Sequence, residues 1–340
     1  MKTVGVDIGY GFLKVYDGEK FYIVPSVIGE AVKMAFEMQK EMGMKPSNKI
    51  NLSKLAEVEV DGNSYSVGEF AILQSENSYR PISLDRATDG FLKVFFLLGL
   101  ACSMGDLTEE DFHLVTGLPV KDFVLHKNFY VKEFTGSHEI TINGIKRTIN
   151  IQKVTVIPQP YGTFCDGLFE ENGTVNEDFA SQHVGIIDIG FKTSDFIQIK
   201  DYVYLEKYSS TSVNGMSYIY GEVKDYLHTN YSITKEDFEL EDIIRKGGIK
   251  YNGTMIDLSE ILVKSKTNLC KKISAEIKNK WPNFPELETI IISGGGGAML
   301  FDYFYDILSE NIVLTTEPQI ANVRGYYNWG IYLDKVGKNN

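Results

Sequence analysis

The pattern that most constrains this chain is a short run met twice. Residues 4–14 read VGVDIGYGFLK and residues 185–195 read GIIDIGFKTSD. In each copy a short apolar strand delivers an aspartate, Asp7 or Asp188, followed by Ile-Gly and a polar turn ending in Lys14 or in Thr193, Ser194 and Asp195. Glycine in such a turn lets backbone N–H groups approach phosphate oxygens closely. A carboxylate at the strand end can hold Mg2+ through its water shell. One Asp-X-Gly is most often an ordinary turn. Two copies about half a chain apart make a statement about the fold, because they predict duplicated halves, and the two turns together predict a phosphate clamp.

At 340 residues the chain has room for two domains with substantial cores. Its formal net charge of −12 gives no basic field for wrapping DNA, so a role with nucleic acid is expected to run through another protein. Cys102, Cys165 and Cys270 lack CxxC spacing and are expected as buried small hydrophobes in a reducing compartment. His113, His126, His138, His183 and His228 show no metal-ligand spacing. The opening apolar run, residues 4–8, contains Asp7, and the longest apolar segment, residues 94–102, is too short to span a bilayer. Neither a signal peptide nor a membrane anchor is expected, and the expected location is cytoplasmic.

Residues 1–25 read as a β-meander with Asp17-Gly18 as a hairpin turn, and Asp61-Gly62, Asn143-Gly144 and Asn252-Gly253 mark three more hairpins. A helix-like stretch at 30–42 carries Met34, Met38 and Met42 at spacing four, which favours core packing over a partner-binding stripe. A polar loop at 45–53 follows, and this segment is expected to form its own small lobe. Residues 91–103 predict a buried helix, and 113–117 a strand whose regular pairing ends near Pro119. KVTVIPQPYGTF changes from strand to turn at Pro158-Gln159-Pro160 and then to helix, and residues 170–181 form the link to the second half.

There GIIDIG, SDFIQIK and YVYLEKYSS predict a second meander, followed by a helical region at 216–228 and an acidic stretch at 236–242. An amphipathic helix at 258–278 and a buried strand at 288–293 follow, the strand entering Gly294, Gly295, Gly296 and Gly297. Consecutive glycines cost conformational entropy, which argues that a bare backbone surface is kept for something flat or bulky. Residues 321–330 predict the closing helix. The P-loop pattern fails because Phe191 intervenes and its spacer is a strand. Gly9 and Gly11 lack the third glycine of the dinucleotide fingerprint.

Taken in order, VGVDIGYGFLK, VIPQPYG, GIIDIGFKTSD, ISGGGGAML and ANVRGYY resemble the five nucleotide-site segments of the actin/Hsp70/sugar-kinase superfamily. The length, TGLPV at 116–120 and SVGEFA at 66–71 resemble the ParM-like bacterial and archaeal actins. The resemblance implies an α/β actin-like fold with two duplicated ribonuclease-H-like domains and a nucleotide cleft between them. The first domain is expected over residues 1–165 with a small-lobe insertion at about 25–90, the second over 166–340 with one at about 211–285.

The same resemblance implies ATP, with GTP left open, and Mg2+. Carried position by position, it makes Gly9, Tyr10, Gly11, Phe12 and Lys14 the first phosphate loop, Lys14 contacting the β/γ-phosphates and Asp7 ordering hydrated Mg2+. Gln159 stands where the attacking water is held, and Asp188 where the second Mg2+-associated carboxylate lies. Gly190, Phe191, Lys192 and Thr193 match the second phosphate loop. Gly294, Gly295, Gly296 and Gly297 match the adenosine loop, with Lys264 and Lys266 as weaker candidates on the adenine side. Relatives often carry Gly-Gly-Gly or Gly-Gly-Thr where this chain has Gly190-Phe191-Lys192, which leaves Lys192 with two readings, phosphate contact or solvent. The implied function is slow ATP hydrolysis coupled to polymerisation into filaments that segregate plasmid or other DNA through a DNA-binding adaptor. The alternative is a small-molecule kinase, which needs a general-base Asp facing a substrate hydroxyl; no segment marks a sugar pocket. A chaperone ATPase would need a peptide-binding domain after the nucleotide domain.

Overall fold

Alternation, hairpin turns and two largely apolar strands mark the elements. A computed structural model describes residues 1–32, 50, 57–80, 90–170, 173–308 and 311–337. The expected helix bearing Met34, Met38 and Met42, and most of the polar loop after it, lie outside the described residues. The chain runs β1 (Lys2–Ile8), β2 (Phe12–Tyr16), β3 (Phe21–Pro25), β4 (Ile28–Glu30), β5 (Val58–Val60), β6 (Asn63–Val67), α1 (Glu69–Gln74), α2 (Phe91–Cys102), β7 (Glu109–Leu118), α3 (Val120–Phe134), β8 (Gly136–Ile142) and β9 (Ile145–Pro158). It continues through α4 (Tyr161–Leu168), α5 (Glu177–Ala180), β10 (His183–Ile189), β11 (Ser194–Lys200), β12 (Val203–Tyr204), β13 (Ser210–Ser212), α6 (Ser217–Tyr231) and α7 (Asp237–Lys246). Last come β14 (Gly248–Tyr251), β15 (Thr254–Asp257), α8 (Ser259–Lys280), β16 (Thr289–Ser293), α9 (Gly297–Tyr305), β17 (Ile312–Leu314) and α10 (Ala321–Val336).

Contacts divide these elements into two units. Met1–Leu118, Asp122–Ile157 and Val323–Asn340 form the first, Pro119–Lys121 and Pro158–Asn322 the second. The last helix from Val323 onward therefore belongs with the first strands, whereas the sequence places residues 166–340 together. The described strands β4, β5 and β6, expected in a separate lobe, are hydrogen-bonded into the first unit's sheet, whose order is β3-β2-β1-β7-β9-β8-β5-β6-β4.

In the first unit β1 is buried nearly end to end because helices cover both faces of its sheet. Alternation sends Val6 toward α2, where a Cβ on Gly99 would touch Val15, Leu13 and Val6. Thr3 and Gly5 face α10 instead, close enough that a side chain on Gly5 would strike the Val323 carbonyl and one on Gly330 would meet Thr3 and Val115 at 2.6 Å. Helix α2 is apolar on almost every face, and α3 packs beside it through Phe96, Tyr130 and Phe134. Each fully buried Phe or Leu of this kind is worth roughly 1.5–3 kcal/mol.

The second unit repeats the scheme with sheet order β12-β11-β10-β16-β17. β10 is buried along its whole length, and Ile187 and Ile189 pack in one cluster with residues of α6, α8 and α9. The expected third strand of this meander is broken in two. Val203–Tyr204 and Ser210–Ser212 both pair with β11, separated by the 3-10 turn Glu206–Tyr208. The break follows from Trp281, whose indole N–H donates to the Tyr208 carbonyl at 2.7 Å and takes it from any ladder. The acidic stretch at 236–242 opens α7, where Glu239 accepts the Glu236 N–H at 2.8 Å. All three cysteines are buried and unpaired, and burial pushes the Cys102 and Cys270 thiols up to about 12.

Candidate functional site

The first turn is built by antiparallel pairing of β1 with β2, which puts Lys14 across from Asp7. Lys14 Nζ lies 3.2 Å from Asp7 Oδ2, a carboxylate almost wholly buried. The turn closes by the Gly9 N–H donating to the Phe12 carbonyl at 2.9 Å. Ser26, brought up by β3, holds it from behind: its N–H donates to the Gly11 carbonyl at 2.9 Å and its hydroxyl to the Gly9 carbonyl at 2.8 Å. In a trans peptide the carbonyl and the next N–H point opposite ways. Fixing the Gly9 and Gly11 carbonyls therefore turns the Tyr10 and Phe12 N–H groups to the other side.

The second turn has the same construction. Asp188 lies across from Asp195, and the Gly190 N–H donates to the Thr193 carbonyl at 2.9 Å, the same distance as in the first copy. Here the backing comes from the chain just before α6. The Met216 N–H donates to the Gly190 carbonyl at 3.0 Å and the Ser217 N–H to the Phe191 carbonyl at 2.7 Å. Such close approach requires Gly215, where a Cβ would sit 2.7 Å from Phe191, Lys192 and Thr193 backbone atoms. The Phe191 and Lys192 N–H groups are thereby turned away from α6. The Phe191 ring packs edge-on against Tyr220, and Lys192 Nζ lies 6.0 Å from the Phe191 ring centre.

The register also shows where the copies differ. Lys14 corresponds to Asp195, whose carboxylate accepts the Val120 N–H at 3.0 Å and the Thr211 hydroxyl. One turn thus offers a carboxylate with an ammonium, the other two carboxylates.

The glycine run lies against the second turn. Gly294 has φ +83, and a side chain there would collide with Asp188 Oδ1 and the Ile189 carbonyl. The Gly296 N–H donates to the Ile189 carbonyl at 2.9 Å, and a Cβ on Gly296 would meet Ile189 and Met216. Gly295 differs, since a Cβ there would meet nothing within 4 Å. The run brings the N-terminus of α9 beside the end of β10. Lys264 is exposed on α8, while Lys266 is half-buried, its ammonium 5.9 Å from the Tyr303 ring centre and its pKa lowered by burial.

Gln159 directly follows β9 and precedes α4, its carbonyl accepting the Gly162 N–H at 3.1 Å. Sequence reasoning missed three residues here. Ser26 and Gly215 carry no motif of their own, and Asn322 lies within ANVRGYY without being singled out there; Asn322 Nδ2–H donates to Asp188 Oδ2 at 2.7 Å while its Oδ1 accepts from Thr163 of α4. Among the described residues no three His, Cys, Asp or Glu side chains gather as a metal cluster, and no helix is long and apolar enough to cross a membrane.

Two family models match this chain, the actin-like protein N-terminal domain over residues 5–162 and the archaeal actin homologue MreB-like C-terminal domain over residues 186–305. The chain is an actin-like protein. The solved structures agree in fold. A ParM filament from Clostridium botulinum superposes on this actin-like protein with a TM-score of 0.80 at 22% identity, covering 97% of this chain and 99% of that one. An archaeal actin homologue in complex with ADP gives 0.76 at 20% identity, covering 98% and 100%. Bacillus thuringiensis ParM with ADP gives 0.70 at 17% identity, covering 98% and 99%. Comparison with curated proteins returns no match.

Proposed function

We propose that this actin-like protein binds ATP with Mg2+, hydrolyses it slowly, and assembles with copies of itself into filaments that depend on the bound nucleotide. The observation that carries the reading is the pair of equivalent turns, each closed by the same hydrogen bond, with its carbonyls held from behind and a carboxylate at the strand end. N–H groups on the side opposite the held carbonyls suit phosphate oxygens, and strand-end carboxylates of this kind suit a hydrated divalent cation better than a directly ligated one. A filament and ADP complexes among the structural relatives point the same way.

In this reading the N–H groups of Tyr10, Phe12, Phe191 and Lys192 bind phosphate oxygens, and Lys14, now paired with Asp7, offsets their charge. Asp7 and Asp188 would hold the water shell of Mg2+, which supplies charge neutralisation at the phosphates. The open side of Gly295 leaves room for a flat group such as the nucleoside. Gln159 orients the attacking water, and because an amide is too weak a base to take a proton, turnover is slow. Hydrolysis then acts as a timer on head-to-tail assembly. GTP would satisfy the same phosphate contacts. The cellular role we assign is segregation of plasmid or other DNA in the cytoplasm through a DNA-binding adaptor, since a net charge of −12 does not favour direct contact.

Light scattering and phosphate release, followed together after adding Mg2+ and ATP, test the reading. Scattering that rises at once and phosphate that follows more slowly support it. A protein that neither scatters nor releases phosphate, with ATP or with GTP, contradicts it.

A further inference from the structure

Asn322, in the first turn of α10, joins two parts of the second unit that the sequence separates widely. Its Oδ1 accepts both the Thr163 N–H at 3.1 Å and the Thr163 hydroxyl at 2.7 Å. Its Nδ2–H donates to Asp188 Oδ2 at 2.7 Å. Asp188 Oδ1 faces the Ser293 hydroxyl at 3.4 Å, and all four residues are buried. The chemistry fixes the amide's orientation, because a backbone N–H can only donate and a carboxylate at neutral pH can only accept. An amide supplies both roles at once; Asp would lack the donor, and Leu both groups.

Thr163 lies in the first turn of α4, four residues after Gln159. On the reading that Asp188 serves the hydrated cation and Gln159 the attacking water, we propose that Asn322 is a positioning residue that fixes the carboxylate and the helix behind Gln159 in one rigid arrangement. It acts through its bonds to Asp188 and Thr163. Partners that orient a cation's carboxylates contribute about 10–100-fold in cation affinity or rate. Burial sharpens the effect, because removing the amide strands a buried N–H and a buried carboxylate oxygen.

The two arms of the amide can be separated. In Asn322→Ala the Mg2+ concentration needed for half-maximal binding of a fluorescent ATP analogue should rise by about 10-fold or more, and phosphate release at saturating Mg2+ should slow by a similar factor. Thr163→Val keeps the backbone N–H bond and the Asp188 arm, so it should slow phosphate release while leaving the Mg2+ requirement unchanged. Asn322→Asp sets two carboxylates 2.7 Å apart in place of the Nδ2–H bond. At neutral pH they repel each other. The variant should therefore melt below wild type at neutral pH. A folded Asn322→Ala protein with wild-type Mg2+ dependence overturns the proposal, as does an Asn322→Asp protein that melts with wild type at neutral pH. Wild-type protein that binds the analogue with no Mg2+ dependence overturns both this proposal and the functional reading.

Discussion

At the scale of single residues, four consecutive glycines turn out to be unequal. Gly294 needs its positive φ and its missing Cβ, since a side chain would strike Asp188 and Ile189, whereas Gly295 faces open space. Gly294→Ala should cost about 2 kcal/mol or more of stability and abolish Mg2+-dependent nucleotide binding. Gly295→Ala should melt within a degree or so of wild type. Thermal melts of the two variants side by side check this, and equal losses would contradict it. Gln159→Ala should leave ATP-induced scattering intact and slow phosphate release by roughly 10-fold or more; unchanged release would remove Gln159 from its role. Asp7, Gly9, Asp188 and Gly190 were legible because strand, carboxylate and glycine lie within a few residues of one another. Ser26 and Gly215 were not, because each backs a turn that folding brings to it, with no local pattern to mark it; Asn322, though within ANVRGYY, was not because its partners Asp188 and Thr163 lie 134 and 159 residues away.

Among the elements, the docking of α10 on the first sheet includes a partly buried polar cluster. His113 of β7 sits 2.8 Å from Asp334 Oδ2 through Nδ1 and 2.8 Å from the Thr155 hydroxyl through Nε2. Thr3 and Lys153 donate to the same carboxylate at 2.8 and 3.0 Å. Burial holds the His113 pKa below its ordinary value, against the pull of Asp334. Burial alone would raise Asp334, but hydrogen bonds from His113, Lys153 and Thr3 hold it down. The unfolded chain then binds both protons more readily than the folded one. Stability from His113 is complete above about pH 6.5 and shrinks below it, and that from Asp334 shrinks below about pH 4. Urea midpoints should therefore fall between about pH 7 and about pH 5.5, and His113→Gln should lower the midpoint at neutral pH yet flatten the slope. A slope untouched by the substitution would contradict this account. Hairpins at Asp61-Gly62, Asn143-Gly144 and Asn252-Gly253 were legible because both central residues adopt positive φ, which those pairs tolerate. The broken third strand of the second meander was not, since it depends on a tryptophan more than 70 residues further along.

For the whole molecule, duplication is the organising fact. Strands β1 and β10 each pair antiparallel with the next strand and parallel with a later one, β7 or β16, and each ends in a glycine turn of the same closure. That symmetry was legible from eleven residues repeated once. The return of α10 to the first unit was not, because it rests on close packing of Gly5 and Gly330 rather than on any boundary signal. If both turns serve one nucleotide, ATP should stabilise more than ADP, since the extra phosphate adds contacts found only in the native state. The most direct test is a structure determined with Mg2+ and a non-hydrolysable ATP analogue. The account predicts the N–H groups of Tyr10, Phe12, Phe191 and Lys192 on the phosphates of one molecule, with Asp7 and Asp188 on the water shell of its cation. Phosphates held by one turn alone, or bound away from both, would contradict it.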